Sequence, residues 1–155
     1  MTSSINKDQD QRLMKAALLE ARKAGAKGEV PIGAVIVKDG KIIARGHNER
    51  EQKQSVLAHA ELVAIKKAEK KLGTWRLEDC TLYVTIEPCP MCAGAIIQSR
   101  IARVVYGAKE PKFGAHTSII NVFDQAFNHQ VEVKAGVCEQ ETSELMKSFF
   151  RALRD

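Results

Sequence analysis

A mixed α/β sandwich is the fold class that this 155-residue sequence predicts. Three observations predict it. Helix-like and strand-like segments alternate along most of the chain, the order expected of a sheet covered by helices. An Asp39-Gly40 pair between two apolar runs marks a β-hairpin. No repeat, low-complexity tract or linker-like stretch interrupts the chain, and its length suits one domain, residues 1–155.

Each element has its own reason. Residues 8–24 carry Leu13, Met14, Ala17, Leu18 and Ala21, a helical stripe, and residues 1–7 are expected to be a flexible tail. The apolar runs 32–37 and 41–45 flank Asp39-Gly40, a pair suited to a tight turn with positive φ, and so read as paired strands. Residues 58–71 read as a second helix, with Leu62, Ile65 and Ala68 on one face. Residues 80–86 are strand-like. Residues 90–99 are helix-like, and Pro90 suits a first helical turn, where its missing N–H costs nothing. Residues 103–107 and 131–135 read as strands and 118–126 as a short helix. Residues 139–154 form an amphipathic helix with Leu145, Phe149, Ala152 and Leu153 as its core-facing side. The hairpin is antiparallel, and the later crossovers favour parallel pairing, hence a mixed sheet of about five strands.

Composition narrows the class. Hydrophobic content of 45% and charged content of 28% mark an ordinary globular chain rather than a disordered one. No apolar run approaches the ~20 residues that span a bilayer. The N-terminus, MTSSINKDQDQR, is polar and lacks the apolar centre of a signal peptide, so a cytoplasmic protein with no membrane partner is expected. Four cysteines in a chain of this size make no disulfide framework. The net charge of +5 is moderate and fits a solvated surface; it points to a polyanion only where the charge clusters near a site.

The chemistry concentrates in two short stretches. In TLYVTIEPCPMCAGAII, Cys89 and Cys92 stand at a strand-to-helix junction between Pro88 and a small-residue helix. A helix start places the two sulfurs about one turn apart and favours thiolate. By itself this pair fits a redox site, a structural metal clamp or a catalytic metal site. The second stretch is His59-Ala60-Glu61, at the start of the second helix. A histidine or a glutamate there is by itself an ordinary structural or solvated residue. Together, His59, Cys89 and Cys92 offer one nitrogen and two sulfurs, a suitable set for zinc. Structural zinc is normally closed by four protein ligands, whereas a catalytic site leaves a position for water. Cys80 and Cys138 read as small spare thiols rather than as a fourth ligand. Glu61 then gains a role as the proton carrier beside an activated water. Residues two apart on a regular helix point about 200° apart, so His59 has to precede the first regular turn.

The joint pattern HAE followed by PCPMC resembles the signature of the zinc-dependent nucleobase deaminases. GEVPIGAVIV, GHNER, AHAEL, TLYVTIEPCPMCAGAI, RVVYGAKEPKFGA, NHQVEV and SFFRALR extend the resemblance, over roughly residues 8–154, to the bacterial tRNA adenosine deaminase family. That resemblance implies the cytidine-deaminase-like three-layer sandwich and conversion of the wobble adenosine of a tRNA anticodon to inosine. It implies one zinc per chain on His59, Cys89 and Cys92, with Glu61 moving protons. It assigns Asn48 to the adenine, and Glu110 and Asn128 to RNA; many relatives have aspartate at the position of Glu110. It also implies a homodimer.

The last helix gives RNA a weaker, independent reading. Lys147, Arg151 and Arg154 recur on one face, as a solvated stripe or a phosphate-binding rim. Phe113 and Phe150 are candidate stacking partners for a splayed base. Two other functions share parts of the pattern. A free-base or nucleoside deaminase acting on guanine or cytosine would use the same four residues, but has no need of a basic C-terminal helix. A non-catalytic RNA-binding module with structural zinc would have no use for Glu61.

Overall fold

The computed structural model describes residues 2–155, with side chains described from residue 7 onward. Most of the expected N-terminal tail therefore lies outside the described side chains. Five strands and five helices follow in the order α1 Thr2–Ala26, β1 Gly33–Lys38, β2 Lys41–His47, α2 Arg50–Lys53, α3 Ala60–Leu72, β3 Cys80–Ile86, α4 Pro90–Gln98, β4 Arg103–Ala108, β5 Glu132–Lys134 and α5 Glu139–Arg154. The sheet order is β2-β1-β3-β4-β5. β1 is antiparallel to both β2 and β3, and β3, β4 and β5 run parallel. The expected mixed sheet is thus present. Asp39 and Gly40 both take positive φ, 53° and 74°, as the hairpin turn requires.

Side chains alternate across the central strands because a strand repeats every two residues. Ala34, Ile36, Leu82, Val84, Val104 and Tyr106 face one core with α3 and α4. Val35, Val37, Tyr83 and Val105 face the other, where Leu13, Met14 and Ala17 of α1 cover them. The expected stripe of α1 is buried throughout.

Two glycines let helices close on the sheet. A Cβ on Gly33 would run into the backbone of Ala17 and Ala21 in α1. A Cβ on Gly46 would lie 2.6 Å from the Ala60 carbonyl and 2.8 Å from the Ala64 nitrogen. The bare backbone of β2 therefore seats the first turn of α3. On the opposite face, a buried carboxylate ties α1 to three strands. Asp10 accepts hydrogen bonds from Tyr83 Oη at 2.6 Å, from Arg103 at 2.8 and 2.9 Å, and from Lys134 Nζ at 2.9 Å. Burial alone would raise the Asp10 carboxyl, but the Arg103, Tyr83 and Lys134 bonds outweigh it and hold it at about 2.

Three expectations need correction. Residues 118–126 are turns, not a helix. Ile119 N–H donates back to the Gly114 carbonyl and Val122 N–H to Ala115, while Asn121 Oδ1 takes the Phe123 N–H. Side-chain and backward bonds thus use the groups a helix would need. The short helix α2 was not expected. Its exposed N–H groups at Glu51 and Gln52 are met by the buried Glu29 carboxylate, 3.0 and 2.7 Å away, and local propensity carries no trace of that distant partner. The apolar side of α5 is mostly not core. Thr142 is the buried residue of that helix, Leu145 and Phe149 are half-buried, and Leu153 is 66% exposed. Among the described residues Phe149 packs edge-on against Phe150 of its own helix, and residues 151–155 are all exposed.

Candidate active site

Two helix starts build the site. α3 begins at Ala60, and His59 is its N-cap in an extended conformation, φ −79° and ψ 150°. The regular turn therefore starts after His59, which resolves the i, i+2 difficulty seen in the sequence. Cys89 caps α4 in the same way, φ −77° and ψ 171°, with Pro90 in the first helical turn. Parallel pairing of β3 with β4 and the crossover through α4 place Cys89 just past the end of β3. The Glu49 N–H donates to the Ala58 carbonyl at 2.9 Å, so the end of the hairpin is fastened beside the approach to His59.

His59 Nδ1 lies 3.7 Å from Cys89 Sγ and 3.5 Å from Cys92 Sγ, across 30 and 33 residues of chain. The three ligand atoms fall within 4.8 Å of one another, a group able to hold a metal ion. Neither Cys80 nor Cys138 belongs to it among the described residues. Cys80 is buried at the far end of β3, and Cys138 caps α5. The donor set, one nitrogen and two sulfurs with no fourth protein ligand, fits zinc in an open site.

Electrostatics separate the roles. The Cys92 thiol, and then His59, hold the Cys89 sulfur at about 4 against burial, so Cys89 is thiolate at neutral pH. Cys92 is pushed upward by its hydrogen bond to Cys89 and by burial. Glu61 is 3% exposed. Burial is the largest influence on its carboxyl and, with the Cys89 charge, pushes it up to about 7 against the pull of its own backbone N–H and of His59. A carboxyl poised near neutrality can both accept and return a proton.

The residues expected to meet RNA divide. Asn48 is buried at the end of β2; its Oδ1 accepts the Arg50 N–H at 3.2 Å and its Nδ2 reaches the Val30 carbonyl at 3.4 Å. Glu110 is half-buried, and its N–H donates to Glu87 Oε1 at 3.0 Å, two residues before Cys89. Asn128, Phe150 and Arg151 are exposed and share no hydrogen bond with the His59–Cys89–Cys92 group among the described residues. Phe150 packs edge-on against Phe149, with ring centroids 5.3 Å apart.

One residue near the site was missed. Glu87 is 1% exposed and takes the backbone N–H groups of Glu110, His116, Thr117 and Ser118 and the Ser118 hydroxyl. Burial would raise its carboxyl, but these donors hold it at about 2. All of them lie 23 to 31 residues downstream, so no local spacing announces the arrangement.

The site is thus a His/Cys/Cys group at two helix starts beside a buried carboxylate, carried on a mixed α/β sandwich. The profile of the MafB19-like deaminase family matches residues 8–154. The chain is 56% identical over 147 residues to the tRNA-specific adenosine deaminase of Bacillus subtilis (strain 168), covering 94% of this chain and 91% of that one. It is 47% identical over 143 residues to the protein of the same name from Aquifex aeolicus (strain VF5), covering 92% and 94%. A solved tRNA:A34 deaminase superposes with a TM-score of 0.84 at 47% identity, over 86% of this chain and 98% of that chain. A guanine deaminase from Nitrosomonas europaea superposes with a TM-score of 0.80 at 25% identity, over 90% and 83%. The chain belongs to the tRNA-specific adenosine deaminase family.

Proposed function

We infer that this chain is one deaminase domain that converts the wobble adenosine of a tRNA anticodon to inosine, with release of ammonia. One observation carries the chemistry: the buried Glu61 carboxyl stands two residues from His59 in the His59–Cys89–Cys92 group. The close relatives named for tRNA support the substrate. Zinc held by His59, Cys89 and Cys92 would lower the pKa of a bound water toward neutrality and so supply the nucleophile.

The chain's own residues do the rest. Glu61 takes a proton from the attacking water and places it on N1 of adenine as the oxygen bonds to C6; it then takes the remaining proton of that oxygen and passes it to the amine, which leaves as ammonia. Asn48, rigid at the end of β2, orients the base by hydrogen bonding. The target base has to leave its stack to reach groups this deep. Glu110, Asn128, Phe150 and Arg151 are assigned to the flanking RNA, and the exposed Lys147 and Arg154 extend the basic face of α5. A homodimer is part of this reading. Val56, Leu57, Met91, Ile119 and Ile120 are all large, apolar and at least one-third exposed, and provide surface for a second copy. A cytoplasmic location accords with a tRNA substrate; no described helix is long and apolar enough to cross a membrane.

The test is to incubate the zinc-loaded protein with an adenosine-bearing anticodon stem-loop and, separately, with free adenosine, guanine and cytosine. Inosine from the stem-loop alone is the expected result. Turnover of a free base alone would keep the chemistry and overturn the RNA substrate.

A further inference from the structure

The segment after β4 is clasped to the Cys89 segment at two points and to β4 itself at a third. Glu87 collects four backbone N–H groups at 2.9 to 3.1 Å, together with the Ser118 hydroxyl. The Ala115 N–H donates to the Pro88 carbonyl at 2.9 Å. His116 Nδ1 lies 2.8 Å from the hydroxyl of the fully buried Tyr106 on β4. Gly114 packs so closely on Glu87 that a Cβ there would overlap the carboxylate. Residues 110–118 hold no helix or strand, so these contacts replace the ladder bonds that would otherwise fix the backbone. What the loop presents outward is Phe113, 65% exposed, together with Lys112 and the carboxylate of Glu110.

A carboxylate taking five donors is an expensive group to bury merely to close a loop, and it stands two residues from a candidate metal ligand. We propose that Glu87 is a positioning residue for the polynucleotide part of the substrate. It acts through the Glu110–Ser118 loop, holding that loop in register with Cys89 so that the nucleotides flanking the target base meet Glu110 and Phe113 at a fixed height above the site. The inference rests on the RNA reading given above. It separates two duties on one short stretch: Cys89 and Cys92 serve the metal, and Glu87 serves the RNA.

Glu87→Gln keeps the shape but turns one acceptor oxygen into an NH2 facing N–H donors. Binding of a fluorescein-labelled anticodon stem-loop, zinc per chain, and hydrogen exchange of residues 110–118 would be measured on this variant and on the unaltered chain. The expected result is about tenfold weaker stem-loop binding, a matching rise in KM with kcat changed less than about threefold, faster exchange in the loop, and undiminished zinc. Unchanged binding with a freed loop would overturn the proposal. So would loss of zinc, which would make Glu87 a support of the metal segment. Ser118→Ala removes one donor and leaves the carboxylate paired; it should shift binding the same way by about threefold, and it decides the matter if Glu87→Gln does not fold. The unaltered chain in the same assay separates the two readings: if it binds the stem-loop but makes no inosine, the deaminase assignment fails while the role of Glu87 is still read from binding.

Discussion

His59 Nδ1 and Cys92 Sγ stand 3.5 Å apart although 33 residues separate them in the chain. Nothing local enforces this approach. It depends on α3 being seated on β2 and α4 on the end of β3, so the ligand group reports the integrity of the whole sheet.

The ligand set is therefore testable by metal content. His59→Ala and Cys89→Ser should each lose most of the zinc, measured by mass spectrometry of the purified protein. Cys80→Ser and Cys138→Ser should each retain about one ion per chain, by the three-ligand logic. Zinc loss in either spare-thiol variant would mean the ligand group has been misread.

Glu61→Gln preserves size and removes the proton carrier. Inosine formation should fall by about 10²- to 10⁴-fold, while zinc remains bound. Near-normal turnover would remove Glu61 from the chemistry and require another group to carry the proton.

Part of the stability lost at low pH should follow Asp10, alongside Glu87, whose carboxyl is held equally low. The folded-state carboxyl of Asp10 is held at about 2, below the ordinary 3.8. A depressed carboxylate contributes stability that is present above its unfolded value and is lost as pH falls through the folded value. The loss should run from about pH 4 down to about pH 2 and amount to about 2 kcal/mol. Asp10→Ala would leave Arg103 paired with Glu132 alone and the Tyr83 hydroxyl without its acceptor, at a cost of about 2 kcal/mol in urea unfolding at neutral pH. It should also flatten this acid limb. An acid limb unchanged in the variant would assign the pH dependence to another group.

Gly46→Ala tests the seat of α3. The added Cβ meets backbone atoms of Ala60 and Ala64, which cannot swing aside as a side chain can. The expected result is a lower melting temperature together with weaker zinc binding, because His59 moves with the helix start. A lowered melting temperature with unaltered zinc affinity would show that the helix start is not what places His59.

For RNA, replacing Lys147, Arg151 and Arg154 together by Gln should weaken tRNA binding and make its dependence on salt shallower. Each lost phosphate contact should change the log–log slope by about 0.7 to 0.9. An unchanged slope would return these residues to a plain solvated face.

Much of this was legible in the sequence, and the limits have physical reasons. The buried stripe of α1 and the Asp39-Gly40 turn are local patterns, and the structure contains both. The spacing of His59, Cys89 and Cys92 could be read because metal ligands demand particular atom types and the helix starts that carry them are marked by proline and small residues. Glu29 and Glu87 stayed hidden because their partners are backbone N–H groups distant in sequence, and a backbone donor has no letter of its own. The 118–126 segment misled because apolar residues in turns and in a short helix look alike at that length. For α5 the periodicity was right, but it could not reveal that its apolar side outruns the body it was expected to cover.

That overhang has a consequence of its own. The chemistry sits on parts whose geometry is locked together by the sheet, whereas the last turn of α5 is exposed among the described residues. A change in that turn therefore has no direct path through the sheet to His59, Cys89 or Cys92, and what the protein docks against can be altered without disturbing where the ligand group stands.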